Sequence, residues 1–232
     1  MDSIRIILAD DHPAFTAGIR AEIEKANDMV VVAEAPNGVE ALRLVKALEP
    51  DILLLDMEMP GLSGLEVAQQ LHANDTSVLV LPLSGFRDPE YVFGVLENGA
   101  AGYMTKDESL QDIVEAIRRV VTGGVHISSR VAIEIVDEQR RKTKAVSETE
   151  KRKKFLEELG VTSTLLRILK YVAEGHNNKQ IAERVYRSEH TVRNQVDRLK
   201  ELVGVRWRPA LVAWAWKHGV MNVEFEDEGS HV

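Results

Sequence analysis

The sequence predicts an α/β first half, a five-stranded parallel sheet wound on both faces, followed by a small all-α domain of four helices. Three observations predict it. Short runs rich in Val, Ile and Leu alternate with amphipathic helical patterns up to about residue 121, as expected for βα units with right-handed crossovers. From residue 160 the pattern is helical only. The charge also changes sign: residues 1–136 carry 10 basic and 22 acidic residues, whereas residues 160–223 carry 11 and 5. An acidic domain joined to a basic one points to a nucleic-acid partner for the second, with two oppositely charged solvated surfaces as the plain alternative. A length of 232 residues suits two ordinary domains, and 44% hydrophobic residues argues against wholesale disorder. The absence of cysteine excludes disulfides, thiolate zinc sites and a cysteine nucleophile. The start MDSIRIILADD lacks the profile of a targeting segment, and no apolar run reaches spanning length. A cytoplasmic protein with no membrane partner is expected.

Ile4–Ala9 is a short apolar run that suits a buried strand. Pro13 can open a helix whose Phe15, Ile19 and Ile23 share one face. Met29–Ala33 is the second strand, and Asn37 can cap a helix carrying Val39, Leu42, Val45 and Leu48. Ile52–Leu55 is the third strand and runs into Asp56; Pro60 and Gly61 break the chain before a helix around Leu65–Leu71. Val78–Leu83 and Ala101–Met104 are the fourth and fifth strands, with helices around Pro89–Glu97 and Ser109–Val121.

In such a sheet the ligand site lies beyond the carboxyl ends of the strands. There the sequence places Asp10 and Asp11, Asp56, Ser84 and Lys106. Three carboxylates repel one another unless a cation joins them, and oxygen ligands without sulfur favour Mg²⁺. A lysine and a hydroxyl beside them suit an incoming phosphoryl group, with a carboxylate as nucleophile. Singly, each residue is equally a turn, cap or surface residue; together at the strand ends they point to phosphoryl transfer.

The segments LADDHPAF, LLLDMEMPGLSGLEV, LSG and GAAGYMTKD resemble the receiver domain of bacterial response regulators over residues 1–125. The resemblance implies a flavodoxin-like fold in which a sensor histidine kinase phosphorylates Asp56. It implies that Asp10, Asp11, Asp56 and the backbone carbonyl of Glu58 hold Mg²⁺, and that Lys106 contacts the phosphoryl group. Ser84 and Tyr103 match the switch pair, in which the hydroxyl turns toward the phosphoryl group and the aromatic ring rotates inward. Gly85 is expected to leave room for Tyr103, and Phe86 to hinder hydrolytic water. Beyond its own phosphorylation and dephosphorylation, no enzymatic activity is expected.

Residues 126–159 read as a linker, partly helical around Ser128–Glu138, with a charged stretch that includes Lys151–Lys154. Thr162, Asn178 and Ser188 can cap three successive helices, and a fourth spans about Pro209–His218. Two short helices joined by a tight turn at Arg187–Ser188 suggest a helix-turn-helix. The wording AEGHNNKQIAERVYRSEHTVRNQVDRLKELVGV is similar to LuxR-type DNA-binding domains, over residues 160–221. With the receiver, the chain resembles the NarL/FixJ class. That implies a recognition helix Glu189–Val203 in the major groove, with Arg193 and Asn194 at base-contacting positions and Lys179, Thr191 and Arg198 on phosphates. Three residues depart from the family pattern: Leu165 replaces a glutamate, Ser163 a proline, and Asp197 a basic groove residue. Residues 222–232 form an acidic tail.

The expected function is a two-component transcription factor: phosphorylation of Asp56 controls homodimerisation and sequence-specific binding to double-stranded DNA, with RNA polymerase a further candidate partner. The alternative is a receiver-controlled protein-interaction module whose helical domain has lost DNA binding.

Overall fold

The computed structural model describes residues 3–74, 76–142 and 146–223. It divides into two compact units, Met1–Val131 and Ala132–Val232. Among the described residues no helix is long and apolar enough to cross a membrane.

The first unit alternates strands β1 (Ile4–Ala9), β2 (Met29–Ala35), β3 (Ile52–Asp56), β4 (Leu79–Ser84) and β5 (Gly102–Thr105) with helices α1 (Pro13–Ile23), α2 (Gly38–Leu48), α3 (Gly64–Ala73), α4 (Pro89–Glu97) and α5 (Leu110–Val121). The five expected strands are joined by a sixth, β6 (His126–Ile127), and the order is β2-β1-β3-β4-β5-β6. All neighbours pair in parallel. The winding direction reverses beside β1, so a cleft opens beyond the ends of β1 and β3.

Successive strand residues serve opposite faces. Ile6, Leu8, Leu54 and Leu83 pack with Ile19 of α1 and Ile117 of α5. Ile7, Leu53, Leu55 and Val80 pack with Val45 of α2 and Val67 of α3. Both faces are covered, which is why these strands read as continuous apolar runs. Asn37 caps α2 by accepting from the Glu40 amide at 2.9 Å, as the sequence suggested. Reciprocal capping boxes, Ser63 with Glu66 and Ser109 with Asp112, start α3 and α5. Val39 points to solvent, 66% exposed. A stripe of three-residue steps drifts around the helix: Val45 faces the sheet with Leu42 and Leu48 packed beside it, and Ala41 takes the place expected of Val39.

The second unit contains α7 (Val146–Glu158), α8 (Ser163–Ala173), α9 (Asn178–Val185), α10 (Glu189–Val203), α11 (Arg208–Lys217) and a 3₁₀ turn at Val220–Asn222. Helix α6 (Ser129–Lys142) begins in the first unit and crosses the division after Val131. Leu166, Leu169, Ile181, Val192, Val196 and Leu211 are buried core residues of the second unit. Thr162 and Ser188 cap α8 and α10 as expected. The cap of α9 is Asn177 rather than Asn178, because Asn177 forms a capping box with Gln180. Helix α7, read from sequence as charged linker, docks on α11: Phe155 stacks on Trp214 and His218 at centroid distances of 6.4 and 5.9 Å. Of the acidic tail, residues 224–232 lie outside the described residues.

Gly64 positions the site described next. A Cβ there would lie 2.3 Å from the Asp56 carbonyl oxygen and 2.7 Å from the Met57 Cα, both backbone atoms with no flexible end to yield. Gly64→Ala is expected to destabilise the first unit by about 1–3 kcal/mol, read as a lower urea midpoint with an unchanged slope.

Candidate functional site

The carboxyl ends of β1, β3 and β5 bring together the groups that the sequence placed there. The Lys106 Nζ lies 2.8 Å from Asp10 Oδ2 and 2.7 Å from Asp56 Oδ2, and 5.4 Å above the centre of the Phe15 ring. Asp56 is wholly buried and accepts from the Glu58 amide at 3.0 Å. Burial raises the Asp56 carboxyl above the usual range against the pull of Lys106 and the Glu58 amide, and the charge of Asp10 adds to the rise. Burial also opposes the Lys106 charge, but Asp10 and Asp56 outweigh it and hold the ammonium above its ordinary range.

Asp10, Asp11 and Asp56, together with His12, each bring a ligand atom within 4.8 Å of the others. His12 was not singled out from sequence, although it directly follows the paired aspartates. Its amide donates to Asp10 Oδ1 at 2.8 Å, and its Nδ1 lies 2.7 Å from Asp11 Oδ1. Three carboxylates facing one ammonium leave an excess of negative charge, and their hard oxygen donors fit a small divalent cation such as Mg²⁺.

Ser84 and Tyr103 are also fully buried. The Ser84 hydroxyl acts directly on the Tyr103 phenol, and a second connection runs through Phe86: the Phe86 amide donates to Ser84 Oγ at 3.1 Å, and the Tyr103 hydroxyl donates to the Phe86 carbonyl at 2.9 Å. The Tyr103 ring therefore already occupies an inward position, and burial raises its phenol far above the ordinary value. Gly85 does not make room for that ring: an added Cβ would meet only Glu58 Oε2, at a comfortable 3.8 Å. The Phe86 ring is half exposed and tilts against Tyr91 at 5.3 Å.

In the second unit, α10 turns Val192, Val196 and Leu199 inward. Thr191, Arg193, Asn194, Asp197 and Arg198 are exposed, as is Lys179 on α9. The Thr191 hydroxyl is engaged with Ser188 Oγ at 2.8 Å in the helix cap, and Asn194 Nδ2 lies 3.3 Å from His190 Nε2. Asp197 pairs with Lys200 at 2.7 Å. Arg193, Arg198 and Lys179 form no ion pair among the described residues. Tyr186, 93% exposed and left-handed at φ 53°, makes the turn between α9 and α10.

Leu165 is buried in the helical core, so replacement of the family's glutamate adds apolar packing there. Sequence reasoning missed Arg208. It donates from Nη1 to Asn178 Oδ1 at 2.8 Å and from Nη2 to the His176 carbonyl, tying α11 to the start of α9. Burial pushes its pKa down to about 10. A pattern based on helical periodicity carries no signal for this long-range pair.

Comparison with known proteins follows the same division. Residues 6–118 match the response regulator receiver domain, and residues 161–215 match the bacterial regulatory proteins of the luxR family. The chain is 34% identical to the transcriptional regulatory protein LnrK of Bacillus subtilis (strain 168) over 219 residues, which is 94% of this chain and 98% of that protein. It is also 34% identical to the oxygen regulatory protein NreC of Staphylococcus aureus (strain MRSA252), over 94% of this chain and all of the other. The crystal structure of a LuxR-family two-component response regulator from Aurantimonas sp. SI85-9A1 aligns with a TM-score of 0.57 at 33% identity, covering 60% of this chain and 99% of that one.

The raised Asp56 carboxyl has a stability consequence. Between the unfolded and the folded pKa the folded chain binds more protons, so this group's contribution to stability falls as pH rises through that window. Asp56→Asn removes this penalty and leaves Lys106 in a one-to-one pair with Asp10. The expected result is a urea midpoint at pH 7 at or above wild type, with any gain shrinking as pH is lowered toward about 4. A midpoint below wild type at pH 7 contradicts the sign.

Proposed function

The chain belongs to the NarL/FixJ class of response regulators, a receiver joined to a LuxR-type DNA-binding domain, and we propose that phosphorylation of Asp56 by a histidine kinase controls its binding to specific DNA. The observation that carries this reading is the Lys106 ammonium shared between Asp10 and the wholly buried Asp56 at one sheet edge. An Asp56 carboxylate oxygen attacks the phosphorus of a kinase phosphohistidine, the phosphorus–nitrogen bond breaks, and an acyl phosphate forms. Lys106 then turns part of its charge to a phosphoryl oxygen, and the Ser84 hydroxyl donates to another. Asp10, Asp11, Asp56 and the Glu58 carbonyl would hold Mg²⁺, which supplies neutralisation of the phosphoryl charge. Tyr103 holds the Phe86 carbonyl while Ser84 Oγ still accepts from the Phe86 amide, so the turn of Ser84 gives up the second of these contacts.

The proposed receiver spans residues 1–125 and the DNA-binding domain 160–221, with 126–159 between them and 222–232 as tail. Helix α10 is the proposed reader: Arg193 and Asn194 address base edges, and Lys179, Thr191 and Arg198 address the backbone. Asp197, which could repel phosphate, is quieted by Lys200 three residues on. With Leu165 serving the core, two of the features that suggested a protein-interaction module, Leu165 and Asp197, have local explanations; the third, the acidic tail, lies outside the described residues from 224 on. Phosphorylated chains pair as homodimers on two half-sites, RNA polymerase is a downstream partner, and the setting is the cytoplasm.

The test is selection of bound duplexes from a random library by the full chain, with and without Mg²⁺ and beryllofluoride as phosphoryl mimic. A repeated or palindromic site enriched by the mimic is expected; no enriched site in either state rejects the reading. On the selected duplex, Arg193→Ala is expected to lose about 1–3 kcal/mol and relax one position, whereas Lys179→Ala weakens all sequences alike and lowers the salt slope by about one.

A further inference from the structure

Two arginines meet on one carboxylate at the edge of the receiver. Asp107, directly after Lys106, holds the Arg87 guanidinium at 2.5 Å through Oδ2, and the same oxygen is engaged by Arg130. Arg87 belongs to the loop that follows Ser84 and Phe86, and Arg130 is the second residue of α6. The start of α6 is fastened to β5 by further contacts. The Ser128 amide donates to the Tyr103 carbonyl at 2.9 Å. The buried hydroxyls of Thr105 and Ser128 lie 3.0 Å apart, and Val131 is fully buried. Asp107 is itself held below the usual carboxylate range, first by the Thr105 hydroxyl and then by Arg130 and Arg87.

We propose that Asp107 is a positioning residue that couples the Ser84 loop to α6 by holding Arg87 and Arg130 in competition. This rests on the proposed phosphorylation of Asp56. Two guanidinium groups on one oxygen repel each other, so each weakens the other's hold. The Ser84 hydroxyl now accepts from the Phe86 amide; turning it toward a phosphoryl group removes that acceptor and loosens the loop that carries Arg87, although the Phe86 carbonyl stays with Tyr103. Asp107 is then left to Arg130, and the first turn of α6 is gripped more tightly against β5. Helix α6 continues past Val131 into the second unit, so a change at its first turn is passed along the chain toward the DNA-binding domain. Exposed ion pairs contribute little to stability, which suits a contact that changes partners rather than one that braces the fold.

The experiment measures the affinity of the full chain for its selected duplex with and without Mg²⁺ and beryllofluoride, alongside ¹⁹F NMR of beryllofluoride uptake. Arg130→Ala is expected to reduce the mimic-induced gain in affinity at least threefold while uptake stays as in wild type, and Arg130→Lys restores part of the gain. Arg87→Ala, which leaves Asp107 to Arg130 alone, is expected to raise the affinity of the mimic-free chain toward that of the mimic-bound wild type. An unchanged gain in Arg130→Ala, or an unmoved mimic-free affinity in Arg87→Ala, overturns the junction while leaving the phosphorylation reading in place. A wild-type chain that takes up no beryllofluoride, or whose DNA affinity ignores it, overturns both.

Discussion

The contact on which the rest of the receiver depends is the Lys106 ammonium lying between Asp10 and Asp56. It draws three strands to one edge, and it forms only in one register. Ala9 pairs with Leu55, so Asp10 and Asp56 follow side by side at the ends of β1 and β3. Asp56 pairs with Leu83 and Ser84 with Thr105, which brings the hydroxyl and then the lysine to the same level. A slip of one residue on any of these strands would send its side chains to the opposite face. The apolar runs of the two faces therefore do more than bury area. By requiring Leu54 on one side and Leu53 and Leu55 on the other, they place the carboxylates.

That edge carries more negative charge than it can satisfy alone. Burial disfavours the Asp56 carboxylate, and Asp10 adds repulsion. Such an arrangement costs stability, and it persists because two apolar layers offset it. The same excess favours a divalent cation, beside a buried carboxylate that is held against a lysine. Gly64 completes the arrangement by letting α3 approach the Asp56 backbone more closely than any side chain would allow.

Much of this was legible in the sequence. Strands buried on both faces advertise themselves as unbroken apolar runs, and polar residues at their ends mark the cleft, so Asp10, Asp56, Ser84 and Lys106 could be assembled before any coordinates. Caps at Asn37, Thr162 and Ser188 were visible because capping is local. What escaped depends on partners far away in the chain. Strand β6 has only two residues, too few for a pattern. Asparagines at 177 and 178 compete for one cap, and there the deciding signal was local after all, the capping box of Asn177 with Gln180 three residues on. Phe155 and Leu156 are two apolar residues in a run of charges, and only the facing Trp214 and His218 reveal α7 as part of a packed helical unit. Asp107 and Arg208 were not singled out, because their partners are distant in sequence.

The same locality explains the departures from the family pattern. Leu165 was conspicuous as a missing glutamate, yet the side chain lies in the core, where an apolar residue needs no polar partner. Asp197 was conspicuous as an acid on a helix otherwise suited to a polyanion, yet Lys200 stands one turn away and takes its charge. Among the described residues, Arg193 and Arg198 on α10 and Lys179 at the start of α9 are exposed and form no ion pair. An exposed cation without an internal partner adds little to the fold, so packing within the domain does not account for these three.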